Sequence, residues 1–65
     1  MRIKLNGEYS ETAAQTVAQL LRELKTPSLG VAVALNGQVV RKAEHGTATI
    51  NENDEIELIR AVQGG

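Results

Sequence analysis

Cysteine, phenylalanine and tryptophan are absent from this chain of 65 residues, and proline, histidine, methionine and tyrosine occur once each. Without cysteine there is no disulfide, no thiolate metal site and no thiol nucleophile. A single histidine, His45, cannot assemble a histidine metal site, so a metal would have to be held by carboxylates alone. A single aromatic ring, Tyr9, leaves almost nothing to stack on bases. The net charge of −1 supplies no basic footprint, and nucleic acid is not an expected partner. Long hydrophobic runs are missing too. The longest, Val31 to Leu35, falls far short of the roughly 18–20 residues of a membrane-spanning helix. The start, Met-Arg-Ile-Lys-Leu, alternates charge and bulk where a signal peptide has a charged start and a continuous apolar core. No membrane partner is expected, and the expected location is cytoplasmic.

Size excludes more. A domain of this length buries only about 60% of the surface its unfolded chain exposes, and its total stability is roughly 3–10 kcal/mol. It can hold one helix against one sheet, with little left to enclose a substrate. The expectation is one domain over residues 1–65, not itself an enzyme and binding no cofactor of its own. With 42% hydrophobic and 23% charged residues, the composition is that of a folded globular domain.

The elements follow from period and punctuation. Met1 to Leu5 alternates, with Ile3 and Leu5 on one face and Arg2 and Lys4 on the other, as in a half-buried strand. Asn6-Gly7 suits a type I′ hairpin turn, because both residues tolerate positive φ, and a weaker strand from Glu8 to about Thr12 returns beside the first. Thr16 reads as a helix N-cap with Gln19 completing a capping box. Val17, Leu20, Leu21 and Leu24 then form one apolar stripe. Pro27 disfavours helical geometry at Thr26, so the helix should stop near Lys25. Val31 to Leu35 is a third strand, turned by a second Asn-Gly pair, Asn36-Gly37, into Gln38-Val39-Val40. Residues 41–46 read as a loop, Thr47 to Ile50 as a short extended piece, and Asn51 to Asp54 as a turn. Glu55 to Val62 is the last strand. One amphipathic helix over one sheet predicts a two-layer α+β domain, with four to five strands on one main helix.

The chain then reads Gln63-Gly64-Gly65. A glycine pair after a strand is either a frayed end or a functional arm. Lacking Cβ atoms, it can extend through a narrow channel into another protein's active site and present a terminal carboxylate there.

From end to end the chain resembles the ThiS family, the ubiquitin-like sulfur carriers of thiamine biosynthesis. The likeness lies in Thr16-Val17 opening the Leu20-Leu21 helix, in Val33-Ala34-Leu35-Asn36-Gly37 before Val39-Val40, in Asn53-Asp54-Glu55-Ile56-Glu57-Leu58, and in Ala61-Val62-Gln63-Gly64-Gly65. The resemblance implies a β-grasp fold, a mixed sheet with the last strand beside the first, and a flexible tail at 63–65. It implies that the Gly65 carboxylate, at the end of the Gly64 arm, is adenylated by an E1-like adenylating enzyme of the ThiF type and becomes a thiocarboxylate. That thiocarboxylate gives its sulfur to a thiazole synthase of the ThiG type. The sulfur donor would be a persulfide protein, and ATP and Mg²⁺ would belong to the adenylating partner. The chain departs from the family pattern at Arg41-Lys42, where Pro-Arg is usual, and at His45, where Trp is frequent.

Other residues are weighed beside the tail. If Ile56 and Leu58 face the core, Ile59 points the other way and forms a small apolar patch with Ala32 and Ala34. The expected partner-binding set is therefore Ile59, Ala61, Val62 and Gln63. Glu52, Asp54, Glu55 and Glu57 read as a solvated turn and strand surface, with steering towards a basic partner as the functional alternative. His45 reads as a loop residue without a special role, and Tyr9 as partial core or hairpin cover. Three other functions stay open: a carrier like the small subunit of molybdopterin synthase, a ubiquitin-like protein modifier, and a β-grasp binding module with an inert tail.

Overall fold

A computed structural model describes residues 1–27 and 30–60 of the chain. Five strands form one sheet: β1 (Arg2–Leu5), β2 (Glu8–Glu11), β3 (Val31–Leu35), β4 (Gln38–Val40) and β5 (Glu55–Arg60). One helix, α1 (Val17–Glu23), lies between the two hairpins. The strand order is β2-β1-β5-β3-β4. β1 and β5 run parallel in the middle, and the other neighbours are antiparallel. This is the β-grasp arrangement that the resemblance implied.

The hairpins form for local reasons. At Asn6-Gly7 the φ values are 50 and 86°, and at Asn36-Gly37 they are 52 and 84°. Positive φ at both central residues is the type I′ turn, whose twist matches that of the flanking strands. The turns also fix register. Leu5 lies opposite Glu8 and Leu35 opposite Gln38, so Val33 meets Val40 on the core face while Tyr9 and Val39 fall on the other face.

α1 starts at Thr16, whose Oγ1 accepts the Gln19 N–H at 3.2 Å. The N–H groups of Val17, Ala18 and Gln19, which the helix cannot satisfy internally, all find partners. Val17 donates to Ala48 O (3.0 Å), Ala18 to His45 O (2.8 Å) and Gln19 to the Thr16 side chain, and Leu20 N–H then opens the internal ladder at Thr16 O (3.0 Å). The capping box is displaced by one residue, since Gln19 Oε1 accepts the Gln15 N–H at 2.8 Å and not that of Thr16. The helix ends at Leu24. Lys25 takes a positive φ of 56°, its N–H reaches Arg22 O at 3.1 Å, and Thr26 N–H reaches Leu21 O at 2.8 Å. That pair of bonds is a Schellman motif, so the stop is made two residues before Pro27 acts.

The core joins Ile3, Val17, Leu20, Val33 and Ile56, all essentially without exposure. Leu21, Ala14 and Ile50 complete it. Ile50 is drawn in where its N–H donates to Gln15 O at 2.9 Å, next to a single bridge between Thr16 and Thr49. The 41–46 loop holds a 3₁₀ turn at Lys42–Glu44. His45 differs from its sequence reading. It is 4% exposed, its Nε2 lies 3.2 Å from Val40 O, and its carbonyl caps Ala18. It anchors the loop to the start of the helix and has no free loop-residue character. Tyr9 is not part of the core but covers the first hairpin: it is 65% exposed and stands on the face away from α1, with the Arg2 guanidinium 4.6 Å above its ring.

Candidate functional site

The sequence reading puts the reacting group on Gly65 and the partner surface on Ile59 and the residues after it. Ala61, Val62, Gln63, Gly64 and Gly65 lie outside the described residues, as does the end of the strand expected to reach Val62. The described chain carries the site as far as Arg60, which pairs with Val31.

β5 presents two sides. Ile56 is fully buried and Leu58 half-buried against the helix, while Glu55, Glu57 and Ile59 alternate onto the outer face. Ile59 is 57% exposed, as expected from the alternation. Its register partner is Ala32, and Ala34 lies opposite both Glu57 and Val39. The patch therefore runs across three strands as Ile59, Ala32, Ala34 and Val39. Ala34 is largely covered by its neighbours, at 9% exposure, whereas Val39 is 75% exposed. Val39 was missed in the sequence. The signal was available, because a two-residue turn at Asn36-Gly37 places Val39 directly across from Ala34.

The rest of the outer face is charged and aromatic. Lys4 sits opposite Tyr9 on one side and Glu55 on the other, its Nζ 3.9 Å from Glu55 Oε2 and 5.9 Å from the Tyr9 ring centroid. The face thus divides into a Tyr9-Arg2-Lys4 corner, a carboxylate row at Glu55 and Glu57, and an apolar quarter at Ile59 and Val39. Exposed side-chain contacts such as Lys4–Glu55 add little stability each, so this division matters for what can dock and not for what folds.

The acidic stretch is only partly a solvated surface. Asp54 is half-buried and closes the turn: its Oδ2 accepts Asn51 N–H at 2.8 Å and its Oδ1 accepts Asn36 Nδ2 at 3.1 Å. Glu52 Oε2 accepts Arg2 N–H at 3.0 Å. Glu55 and Glu57 are the members left on the exposed face. Among the described residues no three of His, Cys, Asp and Glu come together as a metal site would need, and no helix is long and apolar enough to cross a membrane.

The chain matches the model of the ThiS family over residues 3–65. It is 33% identical to the sulfur carrier protein ThiS of Escherichia coli, with all of both chains covered. It is 35% identical to a thiazole synthase of Paramagnetospirillum magneticum, where all of this chain corresponds to 20% of that longer protein. The crystal structure of the thiamine biosynthesis protein ThiS from Geobacter metallireducens superposes with a TM-score of 0.86 at 29% identity, covering all of both chains. The fold and the whole-length similarity agree, and the chain belongs to the ThiS family.

Proposed function

We propose that this sulfur carrier of the ThiS family works through the carboxylate of Gly65, which it cycles between carboxylate and thiocarboxylate to supply sulfur for the thiazole ring of thiamine. The observation that carries the reading is the family match, which spans the chain from residue 3 through the glycine pair. A carboxylate is a poor electrophile, and adenylation supplies the leaving group. Attack of the Gly65 carboxylate on the α-phosphorus of ATP, in a ThiF-type adenylating enzyme, releases pyrophosphate and leaves an acyl-adenylate. The terminal sulfur of a donor persulfide then displaces AMP, and a thiol cleaves the resulting acyl disulfide to free the thiocarboxylate. A ThiG-type thiazole synthase takes the sulfur. In this scheme the chain is a co-substrate, and ATP and Mg²⁺ are held by the partner.

The described structure supports the docking half of the scheme. Ile59, Ala32 and Val39 offer an apolar quarter on the outer face, one residue before the segment that leads to Gly65. The six steps from Ile59 to Gly65 span at most about 20–22 Å if extended, so an enzyme that grips Ile59 has its active site within about that distance. Ala61, Val62 and Gln63 would then lie along the approach to it.

The test is thiocarboxylate formation followed by intact mass. The native chain, incubated with the adenylating enzyme, ATP and a sulfur source, becomes heavier by one sulfur-for-oxygen exchange at Gly65. Deleting Gly65 or adding one residue after it displaces the reacting carbon by about 3.3–3.6 Å. A misplacement of about 1 Å already costs on the order of a hundredfold. Both variants should stay uncharged while melting at the native temperature. An extended chain that charges at the native rate removes Gly65 as the working group.

A further inference from the structure

From Leu58 to Arg60 the strand that leads to the tail is bonded to a neighbouring strand on one side only. Towards β1, Asp54 O accepts Lys4 N–H and Ile56 O accepts Asn6 N–H, both at 2.9 Å. The next rung would come from a backbone carbonyl, but the chain turns away at Asn6-Gly7. Leu58 N–H donates instead to the Asn6 side chain, at Oδ1, 2.8 Å away. Strand alternation points Leu58 C=O and the N–H and C=O of Arg60 to the same vacated side. Among the described residues these groups have no hydrogen-bond partner.

A groove of about 530 Å³ lies along this stretch, lined by Leu5, Leu24, Val31 and Leu58 and carrying Arg60. Leu24 is among the large hydrophobic residues left exposed, at 38%, and Arg60 makes no ion pair among the described residues. Three features therefore coincide among the described residues: an open strand edge, an apolar trough beside it, and a cation without an ion pair. Backbone donors and acceptors at strand spacing are matched by another extended chain, not by a helix. The trough calls for an apolar side chain on that chain's inward face, and Arg60 for a carboxylate.

We propose that a thiazole synthase completes the sheet here. An extended segment of that enzyme lies along β5 from Leu58 to Arg60, bonds their open backbone groups, sets an apolar side chain between Leu5, Leu24 and Leu58, and places a carboxylate on Arg60. The inference rests on the reading that this chain delivers sulfur to such an enzyme. The partner is chosen because in the Paramagnetospirillum magneticum thiazole synthase a segment similar to this whole chain makes up 20% of the protein, so carrier-like and synthase sequence there share one polypeptide. The grip differs from the one on Ile59. It holds the edge and helix side of β5, one residue from the segment whose reach decides where Gly65 arrives.

Amide hydrogen exchange on the labelled chain, free and bound to thiazole synthase, tests the proposal. The Arg60 amide should exchange at least a hundredfold more slowly in the complex. Leu24→Asp and Arg60→Glu should each weaken binding at least tenfold with little change in melting temperature, and Arg60→Lys should restore most of the Arg60→Glu loss. A complex in which the Arg60 amide exchanges at the free rate overturns the proposal, even if both variants bind poorly. Protection of Arg60 by the adenylating enzyme alone overturns the choice of partner. If sulfur transfer proceeds normally with Arg60 unprotected, only this inference fails. If the native chain is never charged or never donates sulfur, the carrier reading fails with it.

Discussion

The two halves of β5 are built from alternating residues of the same kinds, yet they are held very differently. From Glu55 to Glu57 the strand is bonded along both edges. Asn36 N–H reaches Glu55 O at 2.7 Å, and Asn36 Oδ1 takes Glu55 N–H at 2.9 Å. Lys4 and Asn6 hold the other edge. From Leu58 to Arg60 the β3 edge continues, with Ala32 opposite Ile59, while the β1 edge stops at the Asn6 side chain. The first half is held along both edges, and the second is an arm held by β3 alone, with Leu58 still packed on the core. The boundary falls where it does because β1 is four residues long and turns at once. The two Asn-Gly turns have nearly identical backbones, and their asparagine side chains hold the beginning and the middle of the same strand.

Substitutions can break or sharpen that contrast. The largest effect is expected at the centre of the first half: Ile56→Ala should cost about 2–5 kcal/mol, enough to bring a domain of this size close to unfolding. A shift of the denaturation midpoint at constant slope would measure it. Asn36→Gly keeps the positive φ and removes only the side chain, leaving Glu55 N–H and Asp54 short of partners. A loss of about 1–3 kcal/mol is expected. Asn6→Gly removes one side-chain bond at the boundary and should cost about 0.5–1.5 kcal/mol, with faster amide exchange at Leu58 and none at Ile56. Equal losses in the two asparagine variants would mean that the boundary at Leu58 is not where the structure puts it. The smallest effect on folding is expected in the arm. Ile59→Asp should change stability by about 0.5 kcal/mol or less and still lower the rate of sulfur charging. If that variant charges normally, the outer patch is not a docking surface.

The apolar patch was legible in part. Alternation from Ile56 is enough to put Ile59 on the outer face, and the all-alanine side of Val31 to Leu35 marks where it would find apolar neighbours. Arg60 was not legible as part of a groove, since Leu5, Leu24 and Val31 come from three elements that only the fold brings together. For Tyr9 the two readings, partial core and hairpin cover, could not be separated by type, since tyrosine is intermediate between inside and outside. Here its strand position and the Arg2 guanidinium keep it on the surface.

What the sequence determined by itself is what short-range physics can decide. Asn-Gly tolerates the positive φ that a type I′ turn requires at both central residues, so both hairpins and their registers follow from two dipeptides. Thr16 caps α1 through a bond that spans three residues, and a stripe at helical spacing leaves one face to bury. The tertiary structure decided whatever depends on partners far along the chain. It placed His45 in the interior, because the first turn of α1 needs carbonyls that only the 41–50 segment supplies. It ended the helix with Lys25 at positive φ, a conformation that lysine's own preferences do not favour and that the Schellman bonds to Leu21 and Arg22 stabilise. It also turned the two asparagine side chains onto β5, one across a separation of 52 residues, and so set where the core ends and the arm begins.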